Sequence, residues 1–172
     1  MIFIAKTSIK KGNMDFKINY IGSKNFDVKN NRNIKYLIIH YTGMKNQASA
    51  VQRLQSRVAK VSSHYLISKK GKIYQLVRDE NVAWHAGKSR WEKDINLNSK
   101  SIGIELVNNG KEIFPKNQIK SLCKLLIDLK KKHKINTKYI LGHEDIAPKR
   151  KKDPGPKFPW STLADLKLSK KR

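Results

Sequence analysis

The chain has 172 residues, enough for one domain built around one core. Its 38 Lys and Arg against 13 Asp and Glu give a formal net charge of +25, which favours anionic partners such as nucleic acid, anionic lipid or an acidic wall polymer. The basic residues are spread along the whole chain instead of forming one stripe, which argues against a nucleic-acid binder. The single cysteine, Cys123, excludes an intrachain disulfide.

Residues 1–33 are rich in Lys and Asn and lack a long periodic pattern. They read as an N-terminal arm, with a short strand near Phe16–Tyr20. The domain is expected over 34–168, followed by a basic tail at 169–172. Lys35–His40 is predicted as a two-sided central strand, because Tyr36, Leu37, Ile38 and Ile39 are consecutive and apolar. Asn46–Val58 reads as a helix with Ala48, Val51, Leu54 and Val58 on one face. Ser62–Ser68 and Lys72–Val77 read as strands joined by a hairpin at Lys69-Lys70-Gly71. Glu80–Leu97 is a long connection around Ala83-Trp84-His85-Ala86-Gly87, and long connections in compact domains are often functional.

Ser101–Val107 is predicted as a strand, and Asn109-Gly110 as a turn. Pro115 can open a helix in which Ile119, Leu122, Cys123, Leu126 and Leu129 share the core face. That helix ends near His133, a residue expected to be solvated among lysines. Lys138–Gly142 is a further strand, and Ser161–Leu168 a short last helix capped by Ser161. No run of about 18 apolar residues is present, so no membrane span is expected. The opening MIFIAKTSIKKG is apolar over too short a stretch for a signal peptide. A cytoplasmic location is therefore the expectation, with the cell envelope as the alternative. The fold class is α/β: a single domain with a central mixed β-sheet flanked by helices.

The chemistry concentrates in Leu141–Trp160, LGHEDIAPKRKKDPGPKFPW. His143 follows the apolar Tyr139-Ile140-Leu141-Gly142, and Asp153 precedes a stiff Pro-Gly-Pro turn. With His40, at the end of another apolar run, they form a two-His, one-carboxylate set. Three protein ligands and one open position suit catalytic zinc, and the same set suits non-haem iron. Glu105 lies inside the apolar run Ser-Ile-Gly-Ile-Glu-Leu-Val, where a carboxylate is costly without a task or a partner. A general base beside a metal-bound water is one such task, and an ion pair with a lysine is the alternative. Lys151 precedes Asp153 by two residues, so an extended loop would aim both side chains the same way and give an oxyanion a cation. Trp84 and His85, flanked by small residues, are candidate substrate contacts, with the indole offering a flat face to a sugar. His64 reads as a packing residue.

Five stretches occur together in one order: IIHYT at 38–42, SSHYLIS at 62–68, AWHAG at 83–87, SIGIEL at 101–106 and GHEDIAPKRKKDPGPKFPW at 142–160. In these the chain resembles the type-2 zinc N-acetylmuramoyl-L-alanine amidases, the group of the bacteriophage T7-type lysozyme and the peptidoglycan-recognition proteins. The resemblance implies that fold. It implies one zinc ion bound by His40, His143 and Asp153, with Glu105 and Lys151 assisting catalysis. It also implies cleavage of the amide between N-acetylmuramic acid, or its 1,6-anhydro form, and L-alanine in peptidoglycan or muropeptides, as in wall turnover and recycling. Asp153 and Glu105 look like the AmpD/AmiD branch, whereas the phage branch has a cysteine ligand and lacks that glutamate. KKDPGPKFPW and SSHYL look like the envelope AmiD-type enzymes, while the absence of a visible signal sequence looks like the cytoplasmic AmpD type. The alternative is a non-catalytic muropeptide-binding module on the same fold.

Overall fold

The computed structural model describes residues 17–171. Its centre is a six-stranded mixed sheet. β1 (Ile18–Tyr20) and β2 (Phe26–Asp27) come first, then β3 (Tyr36–Tyr41), α1 (Gln47–Gln55), β4 (Tyr65–Ile67) and β5 (Ile73–Gln75). The long connection carries β6 (Val82–Ala83), β7 (Arg90–Trp91) and β8 (Asp94–Ile95). β9 (Ser101–Leu106), α2 (Lys116–Lys132), β10 (Ile140–Gly142), α3 (His143–Ile146) and α4 (Trp160–Asp165) complete the order. The strands lie side by side as β1-β5-β4-β9-β3-β10, and only the β4–β5 pair, the expected hairpin, is antiparallel.

Strand alternation sends neighbouring residues to opposite faces. Leu37 and Ile39 of β3, with Ile102, Ile104 and Leu106 of β9, pack under α2, whose Ile119, Leu122, Cys123, Leu126 and Leu129 are buried on the predicted face. Each such side chain contributes about 1.5–3 kcal/mol by burial. Tyr36 and Ile38 fall on the other face with Leu97, Leu141 and Ile146. By the same parity Ser101, Gly103 and Glu105 share that second face, as does His40. The site is therefore built on the side of the sheet away from α2.

Three local expectations differ from the structure. α1 is capped by Asn46, whose side chain accepts from Ser49 N, but it ends at Gln55, so Val58 lies beyond it and is exposed. Its buried residues are Ala50 and Leu54. The last helix starts at Trp160 after Pro159, and Ser161 lies inside it, not at its cap. His133 is not solvated: its Nε2 stands 2.9 Å from Asp79 Oδ2, beside Lys132 Nζ at 2.8 Å and the Tyr65 hydroxyl at 2.6 Å from the same carboxylate. Burial alone would raise the Asp79 pKa, yet His133, Lys132 and Tyr65 together hold it well below the usual carboxylate range.

The described part of the segment 1–33 is joined to the domain. β1 pairs with β5, β2 pairs with β6, and the Arg32 guanidinium donates to the carbonyls of Asp79, Asn81, Asn98, Ser99 and Ser101. One side chain thus ties the segment around residue 32 to the 79–81 loop and to the turn that leads into β9.

Candidate metal centre and active site

His40 occupies the penultimate position of β3, Glu105 the matching position of β9, and His143 the first residue after β10. Because these three strands are parallel neighbours, the three residues emerge side by side at the same end of the sheet. Asp153 arrives from the following loop, and two contacts place it. Glu144 N donates to Asp153 O at 2.8 Å, and Pro154 packs against Gly142, where an added Cβ would stand 2.6 Å from Pro154 Cδ. Gly142 is needed for that close approach.

The result is a tight triangle. His40 Nδ1 lies 2.9 Å from His143 Nδ1 and 2.9 Å from Asp153 Oδ2, and His143 Nδ1 lies 3.1 Å from the same oxygen. All three residues are buried, with 1%, 3% and 8% of their surface exposed. His143 Nε2 faces Ala86 O at 3.1 Å, nearer than the Arg150 guanidinium at 3.4 Å, and a carbonyl can only accept, which favours a proton on Nε2. Its Nδ1 is then a bare lone pair 3.1 Å from a carboxylate oxygen. Two acceptors at that distance in a dry setting repel unless a cation lies between them. The donor set and its geometry therefore suit a metal ion, as the sequence indicated for these three residues.

Glu105 is also buried, and its Oε2 has no hydrogen-bond partner among the described residues. Burial, reinforced by the Asp153 charge and partly offset by Lys151, pushes its pKa up to about 8. The lysine ion pair considered for Glu105 is absent among the described contacts. An orphaned carboxyl beside a group of residues able to hold a metal ion is the arrangement expected of a group that meets water or substrate. Lys151 is half-buried, its backbone N–H bonds Ala147 O at 2.9 Å, and its charge is felt at both His40 and Glu105.

Trp84 and His85 behave differently from each other. Trp84 is partly exposed and its indole N–H donates to Asp27 Oδ2 at 3.0 Å. His85 is buried, its Nδ1 3.0 Å from His40 Nε2 and its Nε2 3.1 Å from Ser101 Oγ. Burial lowers the pKa of His40 to about 4, with the Asp153 contact opposing and His143 adding to the fall. Burial likewise holds His85 well below its ordinary value, helped by the neighbouring His40, His64 and His143. The 84–87 loop is held by Asn98 Oδ1, which accepts from His85 N and Ala86 N, and by Arg150, which donates to Ala86 O and Lys88 O. His64 packs as expected, its Nδ1 accepting from Gly103 N and its ring edge against His85. Ser101, Gly103, Asn98 and Arg150 were not singled out in the sequence. Only Gly103 carried a signal, as a glycine in the middle of an apolar strand.

The family of N-acetylmuramoyl-L-alanine amidases matches residues 30–156. The amidase AmiD of Escherichia coli (strain K12) is 40% identical over 147 residues, 76% of this chain and 52% of AmiD. The 1,6-anhydro-N-acetylmuramyl-L-alanine amidase AmpD of Haemophilus influenzae is 42% identical over 102 residues, 59% of this chain and 55% of AmpD. The chain thus spans about half the length of these curated relatives. Among solved structures, E. coli AmiD in complex with anhydro-N-acetylmuramic acid-L-Ala-D-gamma-Glu-L-Lys superposes with a TM-score of 0.75 at 39% identity, covering 80% of this chain and 58% of that one. An AmpD structure superposes with a TM-score of 0.78 at 27% identity, covering 87% and 93%. No helix among the described residues is long and apolar enough to cross a membrane. The family match over 30–156, together with these superpositions, shows that this protein belongs to the N-acetylmuramoyl-L-alanine amidase family and has its T7 lysozyme-like fold.

Proposed function

We propose that the chain is a zinc-dependent amidase that cleaves the bond between the lactyl group of N-acetylmuramic acid, or its 1,6-anhydro form, and L-alanine in muropeptides or peptidoglycan. The observation that carries this reading is the His40–His143–Asp153 triangle with the orphaned Glu105 beside it. Ligands about 2.0–2.1 Å from a tetrahedral zinc stand about 3.3 Å apart, and the three donor atoms, at 2.9–3.1 Å, need open by only a few tenths of an ångström. The anhydro-muramoyl tripeptide held by the AmiD relative supports the substrate class.

His40, His143 and Asp153 would hold the ion. When bound, zinc supplies a Lewis acid for the amide carbonyl and lowers the pKa of a coordinated water to about 7. Glu105 takes a proton from the attacking water and returns it to the alanine nitrogen as the C–N bond breaks. Lys151 supplies positive charge to the carbonyl oxygen as it becomes an oxyanion. Trp84, with its indole held by Asp27, offers a flat face to the sugar.

The test is product analysis by mass spectrometry, with zinc and with chelator, on intact peptidoglycan and on soluble anhydro-muropeptides in parallel. Zinc-dependent release of free peptide is the expected result. Release from fragments alone marks a recycling role inside the cell, and release from polymer too marks a role in the envelope. No release from either refutes the amidase reading in favour of a binding module.

A further inference from the structure

His40 can serve as a ligand through Nδ1 only if its ring proton sits on Nε2. Nothing in His40 itself enforces that choice, since a neutral imidazole carries its proton on either nitrogen. The enforcement lies three groups away. Leu97 O lies 2.6 Å from Ser101 Oγ, and a carbonyl can only accept, so the serine proton is committed there. Ser101 Oγ is left with lone pairs facing His85 Nε2 at 3.1 Å, so His85 must donate from Nε2. No carboxylate bonds His85 among the described residues, and in the neutral imidazole one nitrogen donates while the other accepts. Its Nδ1 is therefore a bare acceptor 3.0 Å from His40 Nε2, and His40 must be the donor. That leaves the His40 Nδ1 lone pair aimed at His143 Nδ1 and Asp153 Oδ2.

We infer that His85, oriented by the Ser101 hydroxyl and seated on Gly103, is a positioning residue that locks His40 in the tautomer able to bind the metal ion. The inference rests on the metal-amidase reading given above. The seat is specific: a Cβ at residue 103 would lie 2.4 Å from His85 Cγ and 2.6 Å from its Nδ1, so only glycine lets the ring lie flat on β9. The anchor is specific too. Leu97 O belongs to the turn before β9, and Arg32 donates to the neighbouring carbonyls of Asn98, Ser99 and Ser101, which holds that turn in place. The two histidine ligands are thus fixed by different carbonyls, His143 directly by Ala86 O and His40 through a relay ending at Leu97 O.

The direct test is two-bond proton–nitrogen NMR of the histidine rings in the full chain, first metal-free and then zinc-loaded. The expected result is the Nε2–H form for both His85 and His40 before any metal is added, and unchanged after. The Nδ1–H form at either ring in the metal-free protein would overturn the relay, and this reading needs no variant. Zinc affinity, measured by competition with a chromophoric chelator, is the second readout. Ser101→Ala is expected to weaken zinc binding about 10- to 100-fold, as removal of an outer partner of a metal ligand does, and to leave His85 a mixture of tautomers. His85→Asn, whose amide oxygen takes the place of Nδ1, should recover most of the affinity that His85→Ala loses. Equal affinity in wild type, Ser101→Ala and His85→Ala would refute the inference. Failure of the wild-type chain to bind zinc would fall on the metal-site reading instead, and the metal-free spectrum would still decide the relay.

Discussion

Replacing Glu105 with Gln separates its chemistry from its packing. The residue is 9% exposed and sits on β9 opposite His40, and an amide has the same shape as the carboxyl it replaces. The metal ligands, their supports and the neighbouring strand are therefore untouched. What is lost is the proton carrier of the proposed mechanism, a role that in general acid–base catalysis contributes about 10²–10⁴ in rate, or about 2.7–5.4 kcal/mol of transition-state stabilisation at 1.36 kcal/mol per tenfold. The fold loses nothing comparable, because Oε2 has no partner to forfeit and the amide is as neutral as the carboxyl that burial keeps largely protonated. Peptide release from an anhydro-muramoyl peptide should thus fall at least about 100-fold, while bound zinc and the melting temperature hold or the latter rises. Turnover within about threefold of wild type, with one zinc still bound, would refute Glu105 as the proton carrier; a fall in stability with loss of zinc would show that its role is structural.

Other outcomes follow from the same geometry. Asp153→Ala should abolish both activity and the zinc-dependent rise in stability, which for the wild-type chain is about 4 kcal/mol at a thousandfold excess of zinc over its Kd, read by calorimetry with and without chelator. Asp79→Asn should cost about 1–2 kcal/mol at pH 7, because the buried carboxylate gives up an ion pair with the exposed Lys132 and its bonds to His133 and the Tyr65 hydroxyl. The folded-state pKa of Asp79 is depressed, so that contribution is present above its unfolded value near pH 4 and lost below it; the gap between wild type and variant in urea unfolding should close as pH falls through that region. Gly103→Ala should force His85 off its seat and lower zinc affinity in the same competition assay, whereas an unchanged affinity would show that the ring has room to shift.

The convergence of the two histidines was legible because each lies at or just past the end of an apolar strand, a pattern that local sequence displays. Asp153 was legible from its place before a stiff turn. The groups that hold them were not. Ser101, Asn98 and Arg150 act through partners 16, 12 to 13 and 62 to 64 positions away, and nothing local marks a serine as an acceptor for a histidine. Arg32 lay in a segment without periodicity, yet its guanidinium bonds five carbonyls. Irregular backbone leaves carbonyls unpaired by any ladder, and a buried arginine can satisfy several at once. The buried face of α1 differs from the expected one because the apolar period in the sequence runs on past Gln55, where the helix stops. His133 was misread because its sequence neighbours are all lysines, while the carboxylate it meets is 54 positions away.

The sheet order explains why a sequence this dispersed converges on one point. β9, β3 and β10 are parallel neighbours, and their carboxyl ends open on the same edge, where ligands bind in α/β sheets. The register pairs His40 with Glu105 and Ile39 with Gly142, so the next residue of the third strand, His143, falls beside His40. Adjacent strands lie about 4.8 Å apart, which brings the His40 and His143 imidazoles within reach of one ion. The proposed third ligand comes from outside the sheet. It does so through Asp153, in a loop pinned to the start of α3 by Glu144 N and packed on Gly142. A one-residue slip of β9 against β3 would turn Glu105 to the α2 side and bring Ile104 or Leu106 to the ion. The apolar alternation that buries Ile102, Ile104 and Leu106 under α2 is thus also what turns the Glu105 carboxyl to the face that carries His40, where the proposed chemistry needs it.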